Sequence, residues 1–182
     1  MGCESPIILF QLALINESKG SYYSAIEYYQ MAKKGFRSSH KSHRYHKTFN
    51  ENYGRALYFS GKKAEALPLL KKAAKRSKSY WLLKLMGMMA YEDGDTLNAV
   101  SYLERAVRIP SSDVTTAELV YIYTLLGKLF LHKGEAGGAY RYYLKALELD
   151  PDNAEAKRYV HRLRQRKEQN KMQILMNKMG EL

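Results

Sequence analysis

Cysteine is nearly missing from this chain. Cys3 is the single one in 182 residues, so no internal disulfide can form. That fits a reducing compartment, and the cytoplasm is the expected location. Proline is scarce at 4 and glycine at 12, which leaves long stretches uninterrupted and excludes collagen-like or Pro-rich chains. Acids are few: 18 Asp and Glu stand against 30 Lys and Arg, for a formal net charge of +12. This balance favours acidic partners, whether an acidic peptide, a nucleic acid or an anionic membrane surface, without choosing among them. Long hydrophobic runs are also absent. The longest, residues 7–15, is broken by Gln11 and is too short to span a bilayer. No cationic segment precedes it, so it makes a poor signal peptide. Met1-Gly2-Cys3 opens like an acylation site, but Pro6 stands where that pattern wants Ser or Thr.

Catalytic equipment is equally thin. There is no Gly-rich phosphate loop, and no nucleophile is paired with a base at a recognisable spacing. The chain therefore reads as non-enzymatic, with no cofactor. His40, His43 and His46 recur every three residues, a spacing that on a helix brings imidazoles to one side. Lys41, Arg44 and Lys47 lie among them and would repel a cation, and no acid or Cys completes a ligand set. A solvated basic stretch is expected there, not a metal site. Two further basic clusters are Lys71, Lys72, Lys75, Arg76 and Lys78, and Arg158, Arg162, Arg164, Arg166 and Lys167.

What the sequence does have is a 46% apolar content, enough for a sizeable core, and an internal repeat. A Gly is followed by an Ala five residues on and a second Ala seven further. The sets are Gly20, Ala25, Ala32; Gly61, Ala66, Ala73; Gly94, Ala99, Ala106; and Gly134, Ala139, Ala146. Gly suits a tight turn that needs φ above zero, and each Ala marks a close approach of two helices. Between the alanines stands a bulky residue on the same helical face: Tyr29, Leu70, Leu103 and Tyr143. It is expected to fill the gap between neighbouring hairpins.

With these residues in view, the chain resembles the tetratricopeptide repeat family. The fourth unit carries Tyr123, Leu126-Gly127 and Phe130, then Ala139, Tyr143, Ala146 and Pro151. The third has Leu83, Met86-Gly87 and Ala90, the second Asn50, Tyr53-Gly54 and Leu57, and the first Leu9, Leu12-Ala13 and Asn16. The resemblance covers about residues 6–153 and implies an all-α, right-handed superhelical solenoid of helix-turn-helix repeats. Four hairpins are expected at about 6–39, 47–79, 80–112 and 120–153, with a capping and extension helix over 154–182. Pro68 should bend or weaken its helix. The stretch after Pro110 should restart a helix near Ser112 or Asp113, both good N-caps. The opening helix is apolar on nearly every face, so upstream repeats or a second copy are expected to pack on it.

The resemblance also implies a function: protein–protein interaction as an adaptor or assembly scaffold, with the partner segment held in a concave groove lined by first helices. Carried over by position, the groove residues are Asn52, Arg55, Tyr58 and Phe59; Trp81, Lys84, Met88 and Tyr91; Tyr121, Leu125 and Lys128; and Arg158 and Arg162. Aromatics and Met interleaved with single cations suit a protein or peptide with apolar anchors and some acidic residues. The alternative is nucleic-acid or anionic-membrane binding through the basic clusters, which no RNA-binding motif supports. Family members that grip acidic chaperone tails need a carboxylate clamp. Asn52 matches its middle Asn, but Phe10, Leu14, Trp81 and Leu85 occupy the other places, so the clamp is absent.

Overall fold

The computed structural model describes residues 5–37, 43–111 and 114–180. Every element among them is a helix: α1 (Pro6–Ser18), α2 (Tyr22–Arg37), α3 (His43–Phe59), α4 (Lys63–Ala74), α5 (Tyr80–Glu92), α6 (Thr96–Ala106), α7 (Thr116–His132), α8 (Ala136–Leu149) and α9 (Ala154–Gly180). They fall into two compact units, Met1–Lys78 and Ser79–Leu182.

Each pair α1–α2, α3–α4, α5–α6 and α7–α8 forms a hairpin, and the same turn closes all four. At the first, Gly20 has φ 75° and its N–H donates to the Glu17 carbonyl at 2.9 Å, while the Ser21 N–H reaches Asn16 at 2.9 Å. This left-handed closure satisfies two orphan carbonyls and turns the chain back on itself. Gly61, Gly94 and Gly134 repeat it at φ 87°, 75° and 77°.

A second set of glycines lets the helices of a hairpin touch. A Cβ on Gly54 would meet Leu70 at 2.8 Å, one on Gly87 would meet Leu103 at 2.7 Å, and one on Gly127 would meet the Tyr143 ring at 2.7 Å. Leu70, Leu103 and Tyr143 therefore seat on the glycine of their own hairpin, and the two tyrosines at this repeat position also reach the next helix of their unit. Tyr29 lies 5.7 Å from Phe49 and 5.6 Å from Tyr53 on α3, and Tyr143 stacks on Tyr159 of α9 at 4.9 Å. Tyr29, Leu70, Leu103 and Tyr143 are among the largest fully buried side chains.

Three sequence expectations change in detail. In α4 it is Ala74, not Ala73, that is completely buried. Helix α4 also runs unbroken through Pro68, whose ring is exposed and which removes only the bond to the Ala64 carbonyl. Ser112 and Asp113 lie outside the described residues; α7 starts later, capped by Thr115, whose hydroxyl accepts from the Glu118 N–H at 3.2 Å.

The cores of the two units differ in material. Phe10, Tyr29, Phe36, Phe49 and Tyr53 form an aromatic cluster in unit 1, with ring centroids 5.6–6.3 Å apart. Unit 2 is packed chiefly with aliphatics, Leu82, Leu83, Leu103, Ile122 and Leu126 among them. On α1, Leu9, Phe10 and Ala13 are buried while Ile8 and Ile15 stay 55% and 48% exposed.

Candidate functional site

The candidate groove residues lie on first helices, and each unit presents its own share. In unit 1, α3 supplies Asn52, Arg55, Tyr58 and Phe59. Arg55 points back to α1, where its Nε meets the Glu17 carboxylate at 2.5 Å, and its Nη2 donates to Asn52 at 3.2 Å. Glu17, 7% exposed in its side chain, also accepts from the Tyr29 hydroxyl at 2.7 Å. Burial alone would lower the Arg55 pKa, but the hydrogen bond and charge of Glu17 outweigh it and the pKa rises. Burial, then the bond to Glu17, drives the Tyr29 pKa upward. Beside this network Phe59 is 47% exposed and stacks on Tyr22 at 5.4 Å, and Tyr58 is half-buried with the Lys63 ammonium 5.6 Å from its ring. Leu14, Glu17, Tyr22, Arg55 and Phe59 line a cleft of about 220 Å³.

Unit 2 repeats the arrangement. Trp81, Lys84, Met88 and Tyr91 recur along α5, at a spacing that shares one face of a helix. The first three are half-buried, and Tyr91 is 42% exposed. Lys84 pairs with Glu118 in the first turn of α7. Lys128 on α7 in turn pairs with Glu155 in the first turn of α9 at 2.9 Å, and this bond raises the lysine pKa. Tyr91, Lys128, Leu129 and His132 line one cleft of about 280 Å³. Tyr121, 53% exposed, opens onto a second of about 540 Å³ with Thr124, Leu149, Asn153 and Glu155. Arg158 and Arg162 are exposed on α9, the former 5.2 Å above the Tyr159 ring.

Two readings need correction. Leu125, expected beside the groove, is only 4% exposed and belongs to the packed interior, as does Thr124 before it, although both share a side of α7 with the exposed Tyr121. The cations, read as suiting a partner's acidic residues, are in three cases already matched inside the chain: Arg55 with Glu17, Lys84 with Glu118, Lys128 with Glu155. These pairs tie α3 to α1 in the first unit, and α5 to α7 and α7 to α9 in the second. Those three glutamates were missed from sequence. Glu118 and Glu155 sit in first turns, where an acid is expected for the helix dipole alone. Glu17 precedes its arginine by 38 residues, a separation with no local signature. The histidine stretch lies outside the described side chains, and no group of three or more His, Cys, Asp or Glu able to hold a metal occurs among those described. No described helix is long and apolar enough to cross a membrane.

Two family models described as tetratricopeptide repeat match, one over residues 52–114 and one over 120–153, together just over half of the chain. The bovine (Bos taurus) BBSome complex member BBS4 is 30% identical over 102 residues, which are 56% of this chain and 18% of that protein. Among solved structures, YrrB, a TPR protein with an unusual peptide-binding site, superposes with a TM-score of 0.59 at 20% identity over 88% of this chain and 76% of that one. A tetratricopeptide repeat protein from Parabacteroides merdae does so at 0.56 and 18% identity, over 97% of this chain and 68% of that one. These likenesses show a fold, all-α and of the helical-repeat solenoid class, that the glycine turns and glycine-seated side chains have already explained. The repeating turns and the matched models lead to one conclusion: this chain belongs to the tetratricopeptide repeat family.

Proposed function

We propose that this chain is a non-catalytic adaptor or assembly scaffold that holds a segment of another protein along the first-helix face of its second unit. The observation that supports this is the pair of exposed aromatics, Tyr91 and Tyr121, each lining a cleft, the first with Lys128 and the second with Glu155, which are paired with each other. Tyr is enriched among the residues that dominate binding. Apolar anchors of the partner would seat against Tyr91, Met88 and Tyr121, with the half-buried Trp81 forming part of the wall. Asn52, Arg55, Tyr58 and Phe59 offer a comparable patch on unit 1. The company of relatives is consistent with this role: the bovine protein is named as a member of a complex, and YrrB is described as having a peptide-binding site.

Acidic residues on the partner would bind by exchange, displacing Glu118 from Lys84 or Glu155 from Lys128. Exchange of one carboxylate for another gains little net energy, so apolar contacts carry the affinity and salt should weaken it only modestly. Nucleic-acid binding through the basic clusters predicts the opposite, a steep loss with salt.

The test is affinity capture from native lysate, with and without nuclease, comparing the wild type with Tyr91→Ala/Tyr121→Ala. Both rings are exposed, so the variant should fold as the wild type does. Retention of a defined protein after nuclease, and its loss with the variant, supports the scaffold reading. A catch that vanishes with nuclease and ignores the variant overturns it in favour of the basic surface.

A further inference from the structure

We propose that the last two turns of α9 form an interfacial helix that docks this chain on an anionic lipid surface. Helix α9 packs on α8 through Ala156 and Val160, both buried, with Tyr159 stacked on Tyr143. Beyond Arg164, whose Nε still donates to the Tyr140 hydroxyl of α8 at 3.0 Å, this packing ends: every side chain from Gln165 to Asn177 is exposed. Yet the exposed part is not uniformly polar. Met172, Leu175, Met176 and Met179 follow one another at i, i+3, i+4 and i+7, and are 61%, 48%, 64% and 76% exposed. At about 100° per residue they share an arc of roughly 100°, nearly opposite the face that α9 turns to α8. These four therefore do not prolong the packing that holds the helix to its unit, while Ile174, 57% exposed, falls on the opposite side of the helix from them. Glu168 sits one turn before Met172 and marks where the stripe begins.

Charge selects the occupant. Residues 154–180 contain eight Lys and Arg against two Glu, whereas the rest of unit 2 carries more acids than bases. Lys167 and Lys171 fall together along one flank of the stripe, where their heads would lie level with lipid phosphates while Met and Leu enter the acyl boundary. A second copy of the chain fits poorly. Two such helices would oppose like charges, and four side chains fall well short of the roughly 1,000 Å² that a stable interface needs. An acidic protein groove would suit the cations too, but the stripe holds no aromatic anchor for a deep pocket. Shallow insertion of Met and Leu asks for none.

The measurement is flotation of the full chain with vesicles of phosphatidylcholine containing about 30% phosphatidylserine, and with phosphatidylcholine alone. Binding should require the anionic lipid. Both Leu175→Asp/Met176→Asp and Lys167→Glu/Lys171→Glu should lower the bound fraction about tenfold or more, with unchanged urea midpoints because all four side chains are solvated. Absence of flotation overturns the proposal. Flotation that survives Leu175→Asp/Met176→Asp overturns it as well, since it would then reflect diffuse attraction to the basic chain. Capture by calcium-loaded calmodulin without flotation would reassign the stripe to a helix-in-groove contact and equally overturn it.

Discussion

Arg55 in unit 1 and Lys128 in unit 2 perform the same geometric task, tying a first helix to the helix two places along the chain, but in different surroundings. The unit 1 pair sinks into the protein: Glu17 keeps 7% of its side-chain surface and shares its carboxylate with Tyr29. In unit 2 the acids keep far more, 26% for Glu118 and 33% for Glu155. The cause lies one layer deeper. Tyr29 and Tyr143 occupy the same repeat position and both are fully buried. The Tyr29 hydroxyl finds Glu17, whereas the Tyr143 hydroxyl has no hydrogen-bond partner among the described residues. One repeat position thus yields a buried polar network in one unit, and an unpaired hydroxyl beneath a surface latch in the other.

Truncation should test the shared part of that comparison with the largest effect. Tyr143→Ala, which empties the seat between Gly127 and Tyr159, should cost about 3–5 kcal/mol in urea unfolding, and Tyr29→Ala a similar amount. The two ion pairs should then separate. Glu17→Ala takes the carboxylate away from a half-buried guanidinium and a buried phenol, and about 2–3 kcal/mol of destabilisation is expected. Glu155→Ala breaks a solvated pair and should cost under about 1 kcal/mol. Equal losses in the two variants would erase the distinction between network and latch.

Removing only the hydroxyls sharpens the contrast. Tyr29→Phe forfeits a hydrogen bond to a carboxylate and should lose about 1.5–2 kcal/mol, while Tyr143→Phe deletes an unpaired group and should be neutral or stabilising. Thermal midpoints moving in the same direction would refute this assignment. A smaller effect is expected at high pH. Burial raises the pKa of Tyr29, Tyr142 and Tyr143 above the ordinary phenol value near 10. Their contribution is complete below that pH. It falls as pH rises past 10, because the unfolded tyrosines ionise first and pull the equilibrium toward the unfolded state. Urea midpoints at pH 8 and 11, read with phenolate absorbance, should show the loss, and Tyr143→Phe should blunt it.

Much of the architecture was legible because the signals are short-range. A glycine at φ above zero followed by an alanine five positions on can be read from one stretch of chain, and four copies reinforce one another. Burial within a helix was read less sharply. Ala73 and Ala74 are adjacent, yet only Ala74 is fully buried, because a one-residue shift turns a side chain by about 100°. Periodicity places such a residue near a boundary between core and surface without saying on which side it falls.

The sequence by itself determined the helical hairpins, their turns and the bulky residues that seat in them, since backbone sterics and local packing depend on neighbours a few positions away. Only the tertiary structure decided what the cations meet. Glu17 and Arg55 are 38 residues apart, and Lys84 and Glu118 are 34. Whether such charges pair with each other or wait for a partner depends on where whole helices come to rest. The tertiary structure likewise left the end of α9 uncovered, because an amphipathic stripe is recorded in the sequence but the presence of something to cover it is not.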